Sequence, residues 1–216
     1  TGYLFFTVSR IFLYIFWLPT KRKCWMWTGV AVSSFLLLSF AYGAFVTRTD
    51  YKVKEVELSF EGLPESFDGY RIAFISDIHI GSMWNPESEL EKLSSVVNST
   101  GADVILFGGD LVNLHHSELS QPILDRLSLI KARHGVFAVM GNHDTGSYVK
   151  GSTKEFRAEN MASLARSVSF IGWTYLRDST VYINNGTHSI AITGIDYSEK
   201  LQEYKHSFNA IDNFDV

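Results

Sequence analysis

Three short apolar stretches, each followed at once by a small polar group, limit most strongly how this chain can fold. The stretches lie within residues 71–79, 103–110 and 135–144. Apolar runs of this length are typical of strands buried on both faces, as in parallel sheets. Because the carboxyl ends of neighbouring parallel strands meet at one edge, the polar groups are expected to gather there. Those groups are Asp77 with His79, Asp110 after two glycines, and Asn142, His143 and Asp144 after Gly141.

Between and after these stretches, helix signals alternate with strand signals. Apolar residues at helical spacing predict helices over residues 86–98, 121–134 and 152–167. The turn signal Asn184-Asn185-Gly186 predicts a hairpin of strands over residues 180–183 and 189–193. Alternation over residues 52–60 predicts one further edge strand. The sequence therefore predicts an α/β fold, a layered sandwich of mixed β-sheets flanked by helices.

The first 47 residues differ from the rest of the chain because apolar and aromatic side chains dominate them. Two hydrophobic segments, residues 3–18 and 25–46, are expected to form a transmembrane region, since about 20 apolar residues cross the bilayer core. The first segment is short and carries Arg10, whereas the second has no charged residue. Residues 48–216 read as a separate soluble domain that follows these transmembrane helices.

A basic connection, residues 19–23, joins the two hydrophobic segments. The positive-inside tendency places such a loop in the cytoplasm and sends the chain after residue 46 to the opposite side. Arg48, Lys52 and Lys54 reduce this asymmetry. We expect an integral membrane protein whose soluble domain is extracytoplasmic. A removed signal peptide fits poorly, because two runs separated by a basic loop are not one hydrophobic region.

Net charge argues against nucleic-acid binding, and cysteine content excludes sites that need two or more cysteines. The formal net charge is −4, without the basic patch that a nucleic-acid-binding protein needs, so no nucleic acid partner is expected. Cys24 is the only cysteine. An intrachain disulfide and a multi-cysteine metal site are therefore impossible.

The polar groups have the composition of a metal site without sulfur. Asp77 and His79 can turn to one ion, and the Asp110 carboxylate can bridge two. Asn142 offers a neutral oxygen, and His143 an imidazole that, where it is not a ligand, can supply a proton to a leaving oxygen. These donors suit Mn²⁺, Fe or Zn²⁺. Two such ions about 3.5–4 Å apart can activate water and stabilise an in-line displacement at phosphorus.

The order of these motifs resembles the calcineurin-like metallophosphoesterase family over residues 71–144. The resemblance implies a metallophosphoesterase fold with two divalent metal ions. It further implies that Asp77 and His79 bind the first ion, that Asp110 bridges the two, and that Asn142 binds the second. Residues 48–216 would then be the catalytic domain of a metal-dependent phosphoester hydrolase.

The resemblance also implies catalytic roles and a location. His143 would assist the leaving group or the attacking oxygen, with Asp144 orienting it. Residues 60–64 and 75–81 look like the bacterial subgroup with N-terminal transmembrane helices, which implies the bacterial inner membrane. A membrane anchor favours a membrane-associated phosphate or pyrophosphate as substrate, either a phosphorylated small molecule or a lipid.

The chain departs from the family pattern in two respects: it contains no Gly-His-x-His motif, and no His sits at the end of an apolar strand after residue 144. We expect a fragment truncated at the C-terminus of its catalytic domain, which alone would bind metals poorly. His188 and His206 are interpreted as surface residues, and Asp196 is not counted as a ligand. One alternative is a catalytically inactive membrane-anchored binding scaffold with the same domain. A second alternative is a transporter or channel with a soluble appendage.

Overall fold

The computed structural model describes residue 11 and residues 20–197, in two units, Thr1–Tyr51 and Lys52–Val216. Helix α1, Thr20–Phe45, makes up most of the described part of the first unit. Of the helices in the described ranges, one, over Arg22–Thr49, is long and apolar enough to cross a membrane. It buries none of its most apolar stretch within the protein.

Helix α1 is long enough to cross the hydrocarbon core of a bilayer. Its 26 residues extend about 39 Å at about 1.5 Å per residue, beyond the about 30 Å of a hydrocarbon core. Large apolar side chains such as Trp25, Phe35 and Leu37 are exposed along it. The other predicted hydrophobic segment, residues 3–18, lies outside the described residues apart from Ile11.

The second unit is built on a four-stranded parallel sheet whose spatial order follows the chain order. The first three strands are the apolar stretches that the sequence predicts, and the fourth is too short to give a periodic signal. The expected burial on both faces is wrong for the first strand, which lies at the sheet edge with Ile72 and Phe74 exposed. Because all four strands run in one direction, their carboxyl ends lie along one edge. The strands are β1 (Ile72–Ile75), β2 (Val104–Phe107), β3 (Val136–Ala138) and β4 (Thr174–Tyr175).

Three helices connect these strands: α2 (Pro86–Ser99), α3 (Gln121–Leu127) and α4 (Lys154–Phe170). Helix α2 starts as its sequence predicts. Pro86 occupies the first turn, where its missing N–H costs nothing, and the Asn85 side chain accepts a hydrogen bond from the Ser88 amide. Thr153 caps α4 in the same way.

Helix α3 is shorter than the predicted helix over residues 121–134, so that prediction is wrong at its end. The chain leaves the helix after Leu127 because tertiary contacts satisfy the next backbone groups. The Asn98 side chain of α2 donates to the Leu129 carbonyl at 2.8 Å and accepts from the Lys131 amide at 3.2 Å. Local propensity does not report contacts from another helix.

A second sheet covers one face of the first. It is the predicted hairpin, an antiparallel pair of β5 (Ser179–Asn185) and β6 (His188–Gly194). Ile183 of this hairpin packs with Phe67 and with Val104 of β2 in one buried cluster. On the second unit's other buried side, Phe107 packs against Trp173, with ring centroids 5.6 Å apart. The α/β layered architecture is therefore confirmed.

The predicted edge strand over residues 52–60 is not formed. This segment has no regular secondary structure, and its apolar residues Val53, Val56, Leu58 and Phe60 are exposed. Alternation makes a segment compatible with a strand, but a strand needs a partner for its N–H and C=O groups. Within residues 20–197, neither sheet includes a strand that pairs with this segment.

Candidate metal centre

Three loops at the carboxyl edge of the parallel sheet carry the predicted site residues. The loop after β1 holds Asp77 and His79, the loop after β2 holds Asp110, and the loop after β3 holds Asn142 and His143. These strands are direct neighbours. The sheet therefore brings together residues that are about thirty positions apart in the sequence.

The first two loops are joined backbone to backbone. The Asp77 amide donates to the Gly109 carbonyl and the His79 amide to the Asp110 carbonyl, each at 3.0 Å. Asp77, His79 and Asp110 all have left-handed backbone conformations, with φ between 46° and 60°. Non-glycine residues adopt this conformation rarely and at a cost of about 1–2 kcal/mol each. Such strain is typical of functional sites, where surrounding contacts hold it in place.

One group of three side chains has the geometry of a metal site. Ligand atoms of His79, Asp110 and His143 all lie within 4.8 Å of one another. His79 Nε2 is 3.9 Å from Asp110 Oδ2 and 3.6 Å from Asp77 Oδ1, which places Asp77 beside the group. Two imidazoles with a nearly buried carboxylate suit Mn²⁺, Fe or Zn²⁺. The residues present therefore fit a divalent metal ion.

His143 is held in one orientation by its neighbours. Its Nδ1 lies 2.7 Å from the Asn113 carbonyl oxygen, which only accepts, so Nδ1 carries the proton. The Nε2 lone pair is left for the site. The ring also stacks on Tyr148, with centroids 4.4 Å apart, and the His143 amide donates to Asp110 Oδ1.

Asp144 is buried beneath the centre, with 2% of its surface exposed. Its carboxylate accepts hydrogen bonds from four backbone amides at 2.7–3.1 Å. These amides belong to Asp110, Leu111, Val112 and Gly141. Burial raises the pKa of Asp144 to about 6, against the lowering effect of those bonds. In this structure Asp144 holds the second and third loops together, and the His143 ring contacts Asn113, Tyr148 and His79. The role of Asp144 in orienting His143 stays a prediction.

Asn142 lies in the third loop, and its side-chain amide donates to the hydroxyl of Tyr148 at 2.8 Å. Two further histidines are interpreted from the sequence as surface residues. His188 is exposed in the hairpin, and His206 lies outside the described residues. The ligand role of Asn142 stays a prediction.

Two supporting carboxylates escaped the sequence-based prediction. The Glu118 carboxylate accepts from the amides of Gly81, Asn113 and Leu114 at 2.8–3.0 Å, so it ties the first loop to the second. Its only sequence signal is a capping box, which is hard to notice because a histidine, His115, is the cap.

The second supporting carboxylate is Asp196, which follows β6 and is buried. It accepts a hydrogen bond from the Met140 amide at 3.0 Å and another from the Tyr175 hydroxyl. Burial raises its pKa. Because Met140 directly precedes Gly141, Asp196 anchors the third loop.

Comparison with known proteins agrees with this geometry. A family model described as calcineurin-like phosphoesterase matches residues 70–214, more than half of the chain. A zebrafish (Danio rerio) protein described as a transmembrane protein with metallophosphoesterase domain is 37% identical over 48% of this chain and 23% of its own length. The UDP-2,3-diacylglucosamine pyrophosphatase LpxG of Chlamydia muridarum is 31% identical over 58% of this chain and 33% of its own.

A further relative aligns over more of the chain. The metallophosphoesterase YkoQ of Bacillus subtilis is 25% identical over 85% of this chain and 64% of its own length. The chain thus spans a third or less of the first two relatives and under two thirds of this one. The family resemblance predicted from the motifs is confirmed.

Proposed function

Since this chain belongs to the calcineurin-like phosphoesterase family, we propose that it hydrolyses phosphoester or pyrophosphate bonds with two divalent metal ions. The observation that carries this proposal is the convergence of His79, Asp110 and His143 within 4.8 Å from three separate loops. Asp77 and Asn142 join them as further proposed ligands. When bound, the ions would activate water and stabilise the negative charge that develops on the phosphoryl oxygens.

The protein's own residues prepare the site for this reaction. Hydrogen bonding of Nδ1 to the Asn113 carbonyl aims Nε2 of His143 at the centre. There Nε2 can bind an ion or, when protonated, give its proton to the leaving oxygen. Asp110 places one oxygen towards His79 while the other accepts the His143 amide. Asp110 therefore links His79 of the first loop to His143 of the third.

Hydrolysis of bis-p-nitrophenyl phosphate by the full-length protein, with and without Mn²⁺, tests the proposal. Asp110→Asn keeps an acceptor for the His143 amide but removes a charged ligand. We expect Mn²⁺-dependent turnover that falls at least about 100-fold in this variant. Asp125→Asn, an exposed carboxylate on α3, is the matched control and should turn over normally. A folded protein without turnover under any metal would favour the binding scaffold instead.

We infer that the substrate is a phosphate or pyrophosphate held at a membrane. Support comes from the apolar helix α1 and from one relative whose name states a diacylated sugar-nucleotide substrate. Comparing kcat/KM for a diacylated sugar nucleotide and its unacylated counterpart in detergent micelles tests this. A preference of at least about tenfold, the equivalent of about 1.4 kcal/mol, is expected for the acylated compound. Equal values would mean that the acyl chains are not recognised.

A further inference from the structure

On the basis of the proposed function, we propose that Tyr148 is a positioning residue of the candidate metal centre. Its hydroxyl holds the side-chain amide of Asn142 in place, and its ring holds the ring of His143. Tyr148 follows these two residues in the loop after β3. Neither a motif nor a periodic pattern singles it out, so the contacts alone carry the assignment.

The first contact fixes the amide. Asn142 Nδ2 donates to the Tyr148 hydroxyl at 2.8 Å. An Asn side chain has one donor end and one acceptor end, and only the acceptor end can bind a cation. Because Tyr148 occupies the donor end, Oδ1 is the end left for the ion. Because the hydroxyl can also donate to Oδ1, its bond fixes the place of the side chain, and the charge of an ion would favour the end that accepts.

The second contact fixes the imidazole. The rings of Tyr148 and His143 are stacked, with centroids 4.4 Å apart and planes 20° apart. The Asn113 carbonyl holds the same imidazole at Nδ1. Hydrogen bond and stack together restrict both rotation and tilt of the ring, so Nε2 keeps one direction.

Tyr148 itself contributes little to the core, because 55% of its surface is exposed. A change confined to its hydroxyl should therefore alter the metal centre without unfolding the protein. The variant Tyr148→Phe removes the hydrogen bond to Asn142 and keeps the stack on His143. Tyr148→Leu removes both contacts.

Titration of the full-length protein with Mn²⁺, followed by calorimetry and by electron paramagnetic resonance, tests the proposal. We expect Tyr148→Phe to weaken one of the two Mn²⁺ sites about tenfold, as loss of an outer hydrogen bond to a ligand usually does. The melting temperature should change by no more than about 2 °C. Tyr148→Leu should also lower kcat, because it releases the His143 ring.

A double-mutant cycle with Asn142→Ala separates the contact with the amide from general disturbance. Without the amide, the Tyr148 hydroxyl has lost the partner that it holds, so Tyr148→Phe should change Mn²⁺ affinity less than about twofold in that background. A tenfold loss in both backgrounds would overturn the positioning role, as would unchanged affinity in Tyr148→Phe alone. If the wild-type protein binds no Mn²⁺, the proposed function itself fails, and this assignment fails with it.

Discussion

At the scale of single residues, the loops of the candidate metal centre are held by carboxylates that accept hydrogen bonds from backbone amides. Asp144 accepts four such bonds and Glu118 at least three, and together they join all three loops. A carboxylate suits this task because it accepts several hydrogen bonds and donates none when ionised. Asp144 and Glu118 thus hold in place the loops that carry His79 and His143, the side chains that would face the ions.

The burial of Asp144 predicts how stability varies with pH in the metal-free protein. Its pKa is about 6 when folded, against an ordinary value of 3.8. Because the folded protein holds this proton more tightly than the unfolded chain, the stabilisation is complete below about pH 4 and is lost as pH rises towards 6. The unfolding free energy of the wild type, relative to Asp144→Asn, should therefore fall by about 2–3 kcal/mol between about pH 4 and pH 7.

Urea unfolding of both proteins in the presence of a chelator measures this difference. Groups that titrate alike in the two proteins cancel, so the remaining pH dependence belongs to Asp144. A difference that is constant, or that grows as pH rises, would contradict the expectation.

At the scale of elements, the second and third loops approach each other so closely that no side chain fits between them. A Cβ on Gly109 would lie 2.3 Å from the Gly141 amide nitrogen, and a Cβ on Gly141 would lie 2.2 Å from Asp110 Oδ1. Gly109 also has a φ of +97°, which favours glycine. Gly109 and Gly141 are therefore required for the close approach of the loops that follow β2 and β3. This requirement is separate from any contact with a ligand.

Gly109→Ala should destabilise the protein by at least about 3 kcal/mol, since it combines left-handed strain with a backbone clash. Gly62→Ala is the matched control, because Gly62 has a φ of +80° and open space around it. That variant should lose only about 1 kcal/mol, from strain alone. Urea unfolding measures both values. Equal losses would mean that the loops can separate without cost.

At the scale of the whole molecule, an apolar helix precedes a domain with a polar, metal-competent edge. Helix α1 has the length and composition to cross a bilayer, and basic residues stand at its N-terminal end. The positive-inside tendency would place that end in the cytoplasm and the domain on the opposite side. Phosphoester hydrolysis would then take place outside the cytoplasm, at the membrane surface.

The single cysteine reports on this topology. Cys24 is exposed and follows the basic residues directly. We expect a membrane-impermeant maleimide to label it only after the cells are permeabilised. Thr49→Cys in a Cys24→Ser background, at the other end of the helix, should be labelled in intact cells. The reverse pattern would place the domain in the cytoplasm.

The sequence by itself determined the three apolar strands and the polar residues that follow them, because period and composition are local properties. The hairpin and the start of α2 were likewise predictable from Asn-Gly and Asn-Pro signals. Tertiary structure decided the early end of α3 at the Asn98 side chain and the absence of a strand over residues 52–60. It also decided the roles of Glu118, Asp196 and Tyr148, since hydrogen bonds to backbone amides of other loops and stacking between rings leave no periodic trace in the sequence. The motifs supply the candidate ligands, and only tertiary packing decides which residues hold them in place.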